Sequence, residues 1–214
     1  AFDRDACLDP SRWPALRFFA RIIPDGDVLP LRAQYTAESD SFTIGVNTVT
    51  SQTPMWYSGP DLAASVLLTG KVPHILEAFT LTASGAARGL TAVQLRGQVP
   101  LDPRNADLFR TLVEARHRVK HDNTLSAEER RRLSSVLKVV ANSGSYGIFA
   151  EMNPRDLPPG TSQDVEVIGG SSRFTAPSAK PEETGEYCFP PVAALVTGGA
   201  RLLLAILESL VREA

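Results

Sequence analysis

The chain has 214 residues, 43% of them hydrophobic, which is enough to bury a core and to build one or two compact domains. Its formal net charge of −2 argues against bulk electrostatic binding to nucleic acid. The only two cysteines, Cys7 and Cys188, lie too far apart for a local metal-binding pattern and favour a cytoplasmic protein with free thiols.

The first part of the chain is rich in β-prone residues and contains no recognisable catalytic motif. Residues 1–14 are polar and interrupted by proline, which predicts a loose entry segment. Apolar runs over 18–23 and 28–35 flank the turn sequence Pro24-Asp25-Gly26-Asp27, and this pattern predicts a β-hairpin over 16–35.

Further elements are predicted before the middle of the chain. They are a strand over 42–49, a helix over 61–69, a strand or helix over 74–81 and a strand over 91–99. Gly70 is the expected end of the helix, because glycine readily adopts the left-handed conformation found there. Residues 1–101 are therefore predicted to form a β-rich segment.

The clearest pattern is a helical hairpin over 102–150. Apolar residues at helical spacing predict a first helix over 105–121. The stripe consists of Leu108, Leu112, Val113 and Val119. The capping-box sequence Ser126-Ala127-Glu128-Glu129 predicts that a second helix begins after Ser126 and continues to about Asn142. Because the turn between the helices is short, we expect them to pack antiparallel.

The last part, residues 151–214, combines irregular and helical patterns. A strand is predicted over 164–168, a long mobile segment over 169–185 and a final helix over 192–212. Arg201 and Glu208 interrupt the apolar stretch of this helix, which favours a buried or amphipathic helix over a membrane span. The predicted fold class is therefore α+β, with an antiparallel helical hairpin, a mixed or antiparallel sheet and a long helix.

Candidate binding residues lie at the end of the second predicted helix. Lys138, Asn142 and Tyr146 follow one another at intervals of four residues, which places them in one row on a helix. A cation, an amide and a phenol in a row suit a ligand with a phosphate at one end and a sugar or ring at the other. The alternative interpretation is a helix end at which Tyr146 covers the edge of a core.

Basic residues are concentrated in the predicted hairpin. From Arg110 to Lys138, eight basic residues outnumber four acidic ones. A phosphate-handling element would show this feature, and so would a solvated helix surface. Three arginines near the turn are either solvated or a weak contact with a DNA backbone; they are Arg130, Arg131 and Arg132. His117 and His121 lack a third metal ligand, which favours a chance exposed pair over a metal site.

The stretch from Leu137 to Phe149 resembles the fingers motif of family B DNA polymerases. That motif has a lysine, three residues, then Asn-Ser and shortly Tyr-Gly; the matching residues are Lys138, Asn142, Ser143, Tyr146 and Gly147. The family usually has one residue between Asn-Ser and Tyr-Gly, whereas this chain has Gly144 and Ser145. We expect a π-bulge or a helix end at Gly144 to absorb the extra residue.

Two further stretches are similar to the same family. Arg116 and Lys120 match an arginine and lysine, four residues apart, that meet the incoming triphosphate from the first fingers helix. Thr197-Gly198-Gly199-Ala200-Arg201 loosely resembles a Thr-x-x-Gly-Arg stretch of the palm helix. In an ideal hairpin Lys138 lies level with about Arg110, and Arg116 and Lys120 lie nearer the tip. A long phosphate chain or tilted helices would then have to bridge these groups, which argues mildly against assigning all four to one phosphate cluster.

The resemblance implies a fragment of a longer DNA polymerase, containing the fingers and part of the palm. Its partners would be primer–template DNA and a deoxynucleoside triphosphate. Arg116, Lys120 and Lys138 would neutralise the triphosphate, while Asn142 would steady it and Tyr146 would pack near the nascent base pair.

The catalytic Mg²⁺ ions would be held outside this fragment. The family's Asp-x-x-Ser-x-Tyr-Pro and Asp-Thr-Asp elements are missing, so no catalytic or metal-binding residue is assigned and the fragment alone is expected to be inactive. The alternatives are a non-catalytic, polymerase-derived module that binds DNA or a protein, and an unrelated structural helical-hairpin domain.

Overall fold

The computed structural model describes residues 3–34, 42–85, 88–95, 97, 99–168 and 173–213. Within these ranges the chain has an α+β fold of small antiparallel sheets and several helices, which confirms the predicted class. The chain divides into two compact units. Unit 1 comprises Ala1–Thr82, Pro154–Glu183 and Ala194–Ala214, and unit 2 comprises Ala83–Asn153 and Thr184–Ala193.

Unit 1 begins with two short helices, so the predicted loose entry segment is wrong. Helix α1 spans Arg4–Leu8, and a 3₁₀ helix spans Pro10–Leu16. The carboxylate of Asp3 caps α1 by accepting the Ala6 N–H at 2.9 Å, and Asp9 caps the second helix in the same way. These side chains satisfy N–H groups that a helix start leaves without a backbone partner.

The strands of unit 1 do not form the predicted hairpin. Strand β1 (Phe18–Ile23) and strand β2 (Asp25–Gln34) are consecutive, but they pair with other strands. Antiparallel partners of β1 are β4 (Met55–Ser58) and β5 (His74–Thr80), whereas β2 pairs with β3 (Phe42–Thr50). The prediction is wrong because Asp25, Gly26 and Asp27 of the presumed turn already belong to β2, which pairs with β3. Tyr35, at the end of the predicted hairpin, lies outside the described residues.

Helix α2 (Gly59–Thr69) is the central element of unit 1. Its residues from Gly59 to Leu67 are all buried, and Gly70 ends it with a φ of 69°, as predicted. Leu62 packs in one core cluster with residues of the strands, namely Ala20, Ile22, Leu29, Val49 and Tyr57. Other α2 residues pack with Cys7, Leu202 and Ala205 in a second cluster.

The predicted mobile segment over 169–185 is wrong in its second half. Strand β9 (Gln163–Ile168) pairs antiparallel with β10 (Arg173–Ser178), while residues 169–172 lie outside the described part. Strand β8 (Met152–Pro154) pairs with β11 (Glu182–Thr184), and the division between the units falls within both strands. The pairing of β8 with β11 could not be predicted from their composition, because neither of these two exposed strands has an alternating apolar face.

The last helix, α5, spans Pro190–Glu213. Leu202, Ala205 and Ser209 are buried, whereas Leu204 and Leu207 on the other side are 66% and 58% exposed. In the described part of the chain, this helix alone has the length and apolar composition to cross a membrane. The absence of a membrane span stays a prediction.

Unit 2 contains a small antiparallel sheet of β6 (Val93–Leu95) and β7 (Val99–Leu101). The single strand predicted over 91–99 is wrong, because Gly97 turns the chain between these strands with a φ of 70°. Glycine adopts this left-handed conformation without the steric cost that a side chain brings.

The predicted helical hairpin is present in unit 2. Helix α3 spans Leu108–His121 and helix α4 spans Ala127–Asn142, and both capping-box hydrogen bonds between Ser126 and Glu129 are formed. The shared core consists of Val99, Leu112, Ala115, Val119, Leu133 and Leu137. Val113 was wrongly placed in the stripe: it is 62% exposed, because the helical repeat puts Ala115 in line with Leu112 and Val119.

Candidate functional site

Helix α4 continues beyond Asn142 into a π-helical turn. This turn spans Ser143–Gly147, and the N–H of Ile148 donates to the carbonyl of Ser143 five residues earlier. The hydroxyl of Ser145 donates to the carbonyl of Asn142 at 2.9 Å. A π turn holds one residue more than an α turn, so it accommodates the extra residue of the motif, as expected.

Four predicted binding residues line one open depression of about 260 Å³ in unit 2. Arg116 and Lys120 come from α3, and Lys138 and Asn142 come from α4. The four groups line the same depression although Arg116 and Lys120 lie nearer the tip of the hairpin than Lys138. Arg116 Nε donates to Ser134 Oγ at 3.4 Å, which places Arg116 about one helical turn from the level of Lys138, close to the register of an ideal hairpin.

Tyr146 is not among the residues that line this depression. It lies in the π turn, and its side chain is 46% exposed. The structure thus brings together the cations and the amide of the predicted site and leaves the phenol outside it.

The depression has an apolar floor beneath a cationic rim. Leu112 and Leu137, which are 1% and 0% exposed, belong to the core and close the depression from below. The exposed side chain of Val113 and the partly buried Ala141 complete the apolar surface. Cations set beside apolar surface are less screened than cations in open water, which favours an anionic ligand.

The cations of the depression have no anionic partner in the described ranges. None of the residues that line it is acidic. Among the described side chains, no carboxylate forms an ion pair with Arg116, Lys120 or Lys138. The nearby Glu114 instead binds Arg110, with 2.8 Å between its Oε1 and the arginine Nε. The hydrogen bond from Arg110 lowers the pKa of the Glu114 carboxyl, so this acid is charged and already paired.

His117 also lines the depression, which the interpretation as a chance exposed pair missed. Its ring centroid lies 4.5 Å from that of His121. His121 Nδ1 lies 2.9 Å from the carbonyl oxygen of His117. Because a carbonyl only accepts, Nδ1 of His121 carries a proton. The spacing of four residues in the sequence indicates that the two histidines are neighbours on the helix. It does not indicate which surface of the hairpin they line.

The three arginines near the turn have different environments. Arg130 Nη1 donates to the carbonyls of Asp122 and Leu125, at 3.0 and 3.1 Å, and thereby fastens the turn between the helices. Arg131 and Arg132 are exposed. A contact of these arginines with DNA stays a prediction.

A second polar cluster lies in unit 1, where Arg201 was singled out by resemblance. Its Nε and Nη2 contact the two carboxylate oxygens of Asp61 at 2.6 and 3.1 Å. Ser58 Oγ donates to the same carboxylate at 2.6 Å. Gly198 allows this approach, since a Cβ there would lie 2.5 Å from Ser58 Oγ. Arg201 is thus engaged in holding α5 to the start of α2.

The described residues do not supply a metal site. They contain no group of three or more histidine, cysteine or acidic side chains that could hold a metal ion. The buried carboxylate of Asp61 is taken by Arg201 and Ser58.

Comparisons with known proteins found no match for this chain. No family model matches it, no curated protein matches it significantly, and no solved structure does so either.

Proposed function

We propose that this chain is the fingers and part of the palm of a family B-like DNA polymerase. In this proposal the depression of unit 2 binds the triphosphate of the incoming deoxynucleotide. The observation that supports it is the convergence of Arg116, Lys120, Lys138 and Asn142, which come from two separate motifs, on one surface.

The residue types suit the parts of a triphosphate. Arg116 offers a planar fork of donors, which can hold two phosphate oxygens at once. Lys120 and Lys138 act as mobile point charges, and the Asn142 amide can donate to a phosphate oxygen or accept from a sugar hydroxyl. Tyr146, outside the depression, would pack near the nascent base pair. The chain's part in DNA synthesis is then to bind and orient the nucleotide over the primer–template.

Triphosphate binding by the purified chain tests the proposal. We would titrate the wild type with a deoxynucleoside triphosphate by calorimetry and compare Lys138→Ala and Arg116→Ala. A hydrogen bond to a charged group contributes about 1.5–3 kcal/mol, so each variant should bind roughly tenfold or more weakly. Arg132→Ala is the matched control, because it removes an exposed cation of α4 that does not line the depression.

The outcomes separate a built site from a diffuse basic surface. The proposal predicts that Arg132→Ala binds within about twofold of the wild type at low salt. Equal weakening in all three variants would show that only overall charge matters. Salt-sensitive binding of DNA without any binding of triphosphate would favour the non-catalytic module instead.

A further inference from the structure

We propose that His117 is a proton-linked phosphate ligand of the depression, so that triphosphate binding takes up a proton at this side chain. This inference rests on the proposed function and adds a pH-dependent residue to that site. His117 lines the same depression as Arg116, Lys120 and Lys138, and it is exposed to an entering ligand. Neither its position nor its titration follows from the polymerase motif.

Charged side chains surround His117 in the depression. On its own helix it has Arg116 and Lys120 as neighbours, with Glu114 one turn earlier but paired with Arg110. From α4, Lys138 faces the same depression. A polyphosphate bound among these cations would add negative charge beside the ring, and negative charge favours the imidazolium form of a histidine.

The adjacent His121 prepares the ring for this role. Its Nδ1–H donates to the carbonyl of His117, which fixes the orientation of His121. With the two ring centroids 4.5 Å apart, His121 restricts one side of the His117 ring. A ring held in this way loses less rotational freedom when it binds an anion.

Protonation and anion binding at neighbouring groups strengthen each other reciprocally. Binding of the polyphosphate should therefore tighten as the pH falls through the range in which histidines titrate, and part of this dependence should belong to His117. Among the residue types that line the depression, histidine is the one whose ordinary pKa lies near neutral pH.

Calorimetry with inorganic tripolyphosphate tests the proposal on the full 214-residue chain. Titrations at pH 7 in two buffers of different ionisation enthalpy give the number of protons taken up. Tripolyphosphate releases protons of its own, so the quantity of interest is the difference between the wild type and His117→Gln. We expect the wild type to take up more protons than this variant, and its affinity advantage to grow about fivefold from pH 8 to pH 6.

The matched control is His74→Gln, which changes a residue of β5 in unit 1; the chain contains only three histidines. This variant should keep both the affinity and the proton uptake of the wild type. His121→Gln removes the ring beside His117 but leaves the proposed proton acceptor in place, so it should keep the proton uptake and weaken binding less than His117→Gln does. Circular dichroism of each variant verifies that it is folded.

Three results would overturn the inference. Equal proton uptake in wild type and His117→Gln, with tight binding in both, rejects the role of His117 and leaves the proposed function standing. Loss of uptake in His121→Gln or His74→Gln alone assigns the proton to another residue. Failure of the wild type to bind any polyphosphate would reject the proposed function together with this inference.

Discussion

The buried ion pair between Asp61 and Arg201 should contribute strongly to the stability of unit 1. The Asp61 side chain is only 5% exposed and that of Arg201 is 25% exposed. Removing one partner of a buried pair costs about 3–5 kcal/mol, because the other charge is left without compensation. Arg201→Met leaves Asp61 with the Ser58 hydroxyl, so we expect a loss near the lower end, about 3 kcal/mol.

Urea unfolding followed by tryptophan fluorescence measures this loss in the relevant unit. Both tryptophans, Trp13 and Trp56, lie in unit 1, so their emission reports on that unit. Arg155→Met is the matched control, since its partner Glu183 is 61% exposed in the same unit. Such surface pairs contribute little, and the control should leave the urea midpoint nearly unchanged.

A double-mutant cycle shows whether the effect belongs to the pair. Asp61→Asn removes the charge but keeps a side chain that can bond to Ser58. Combined with Arg201→Met, it should cost less than the two single losses together, with a coupling of about 1–3 kcal/mol. Additive losses, or an Arg201→Met midpoint like that of the Arg155→Met control, would refute the assignment of a buried, coupled pair.

Four further variants test the local structure. Gly59→Ala should destabilise unit 1 by roughly 1–3 kcal/mol, measured by urea unfolding, because its Cβ would overlap the Leu16 carbonyl oxygen. Gly199→Ala has open space around its Cβ and should therefore be stabilising. The hydrogen bonds from Ser126 lower the pKa of the Glu129 carboxyl. The stabilisation of α4 by the charged Glu129 is therefore present at neutral pH and is lost as the pH falls through this lowered pKa. The helix content of Glu129→Ala should accordingly change less on acidification than that of the wild type. Deletion of Ser145 should convert the π turn into an α turn with triphosphate affinity retained, and lost affinity in a folded variant would contradict this account of the turn.

The parts of the fold that depend on neighbouring residues could be predicted from the sequence. Ser126 and Glu129 complete each other's hydrogen bonds within one helical turn, and Gly70 ends α2 by its own backbone conformation. The π turn at Gly144 was expected from a single extra residue in the motif. Each of these features is decided within a few positions of the chain, where residue type and spacing carry the information.

Features that join distant segments could not be predicted in this way. The partners of β1 are β4 and β5, which lie far along the chain, while the local turn residues favoured a hairpin. Asp61 and Arg201 are 140 positions apart, and nothing in either segment indicates the pair. The common depression involves side chains from both α3 and α4, and their spacing along each helix does not show that they line one surface.

The most direct test of a triphosphate site in unit 2 is to map where the ligand binds. An isotope-labelled sample of the chain would be titrated with a deoxynucleoside triphosphate, and backbone amide shifts would be followed by NMR. The account predicts the largest shifts around Arg116, Lys120, Lys138 and Asn142, continuing into the π turn. Shifts confined to Arg131 and Arg132 or to unit 1, or no shifts at millimolar ligand, would contradict it.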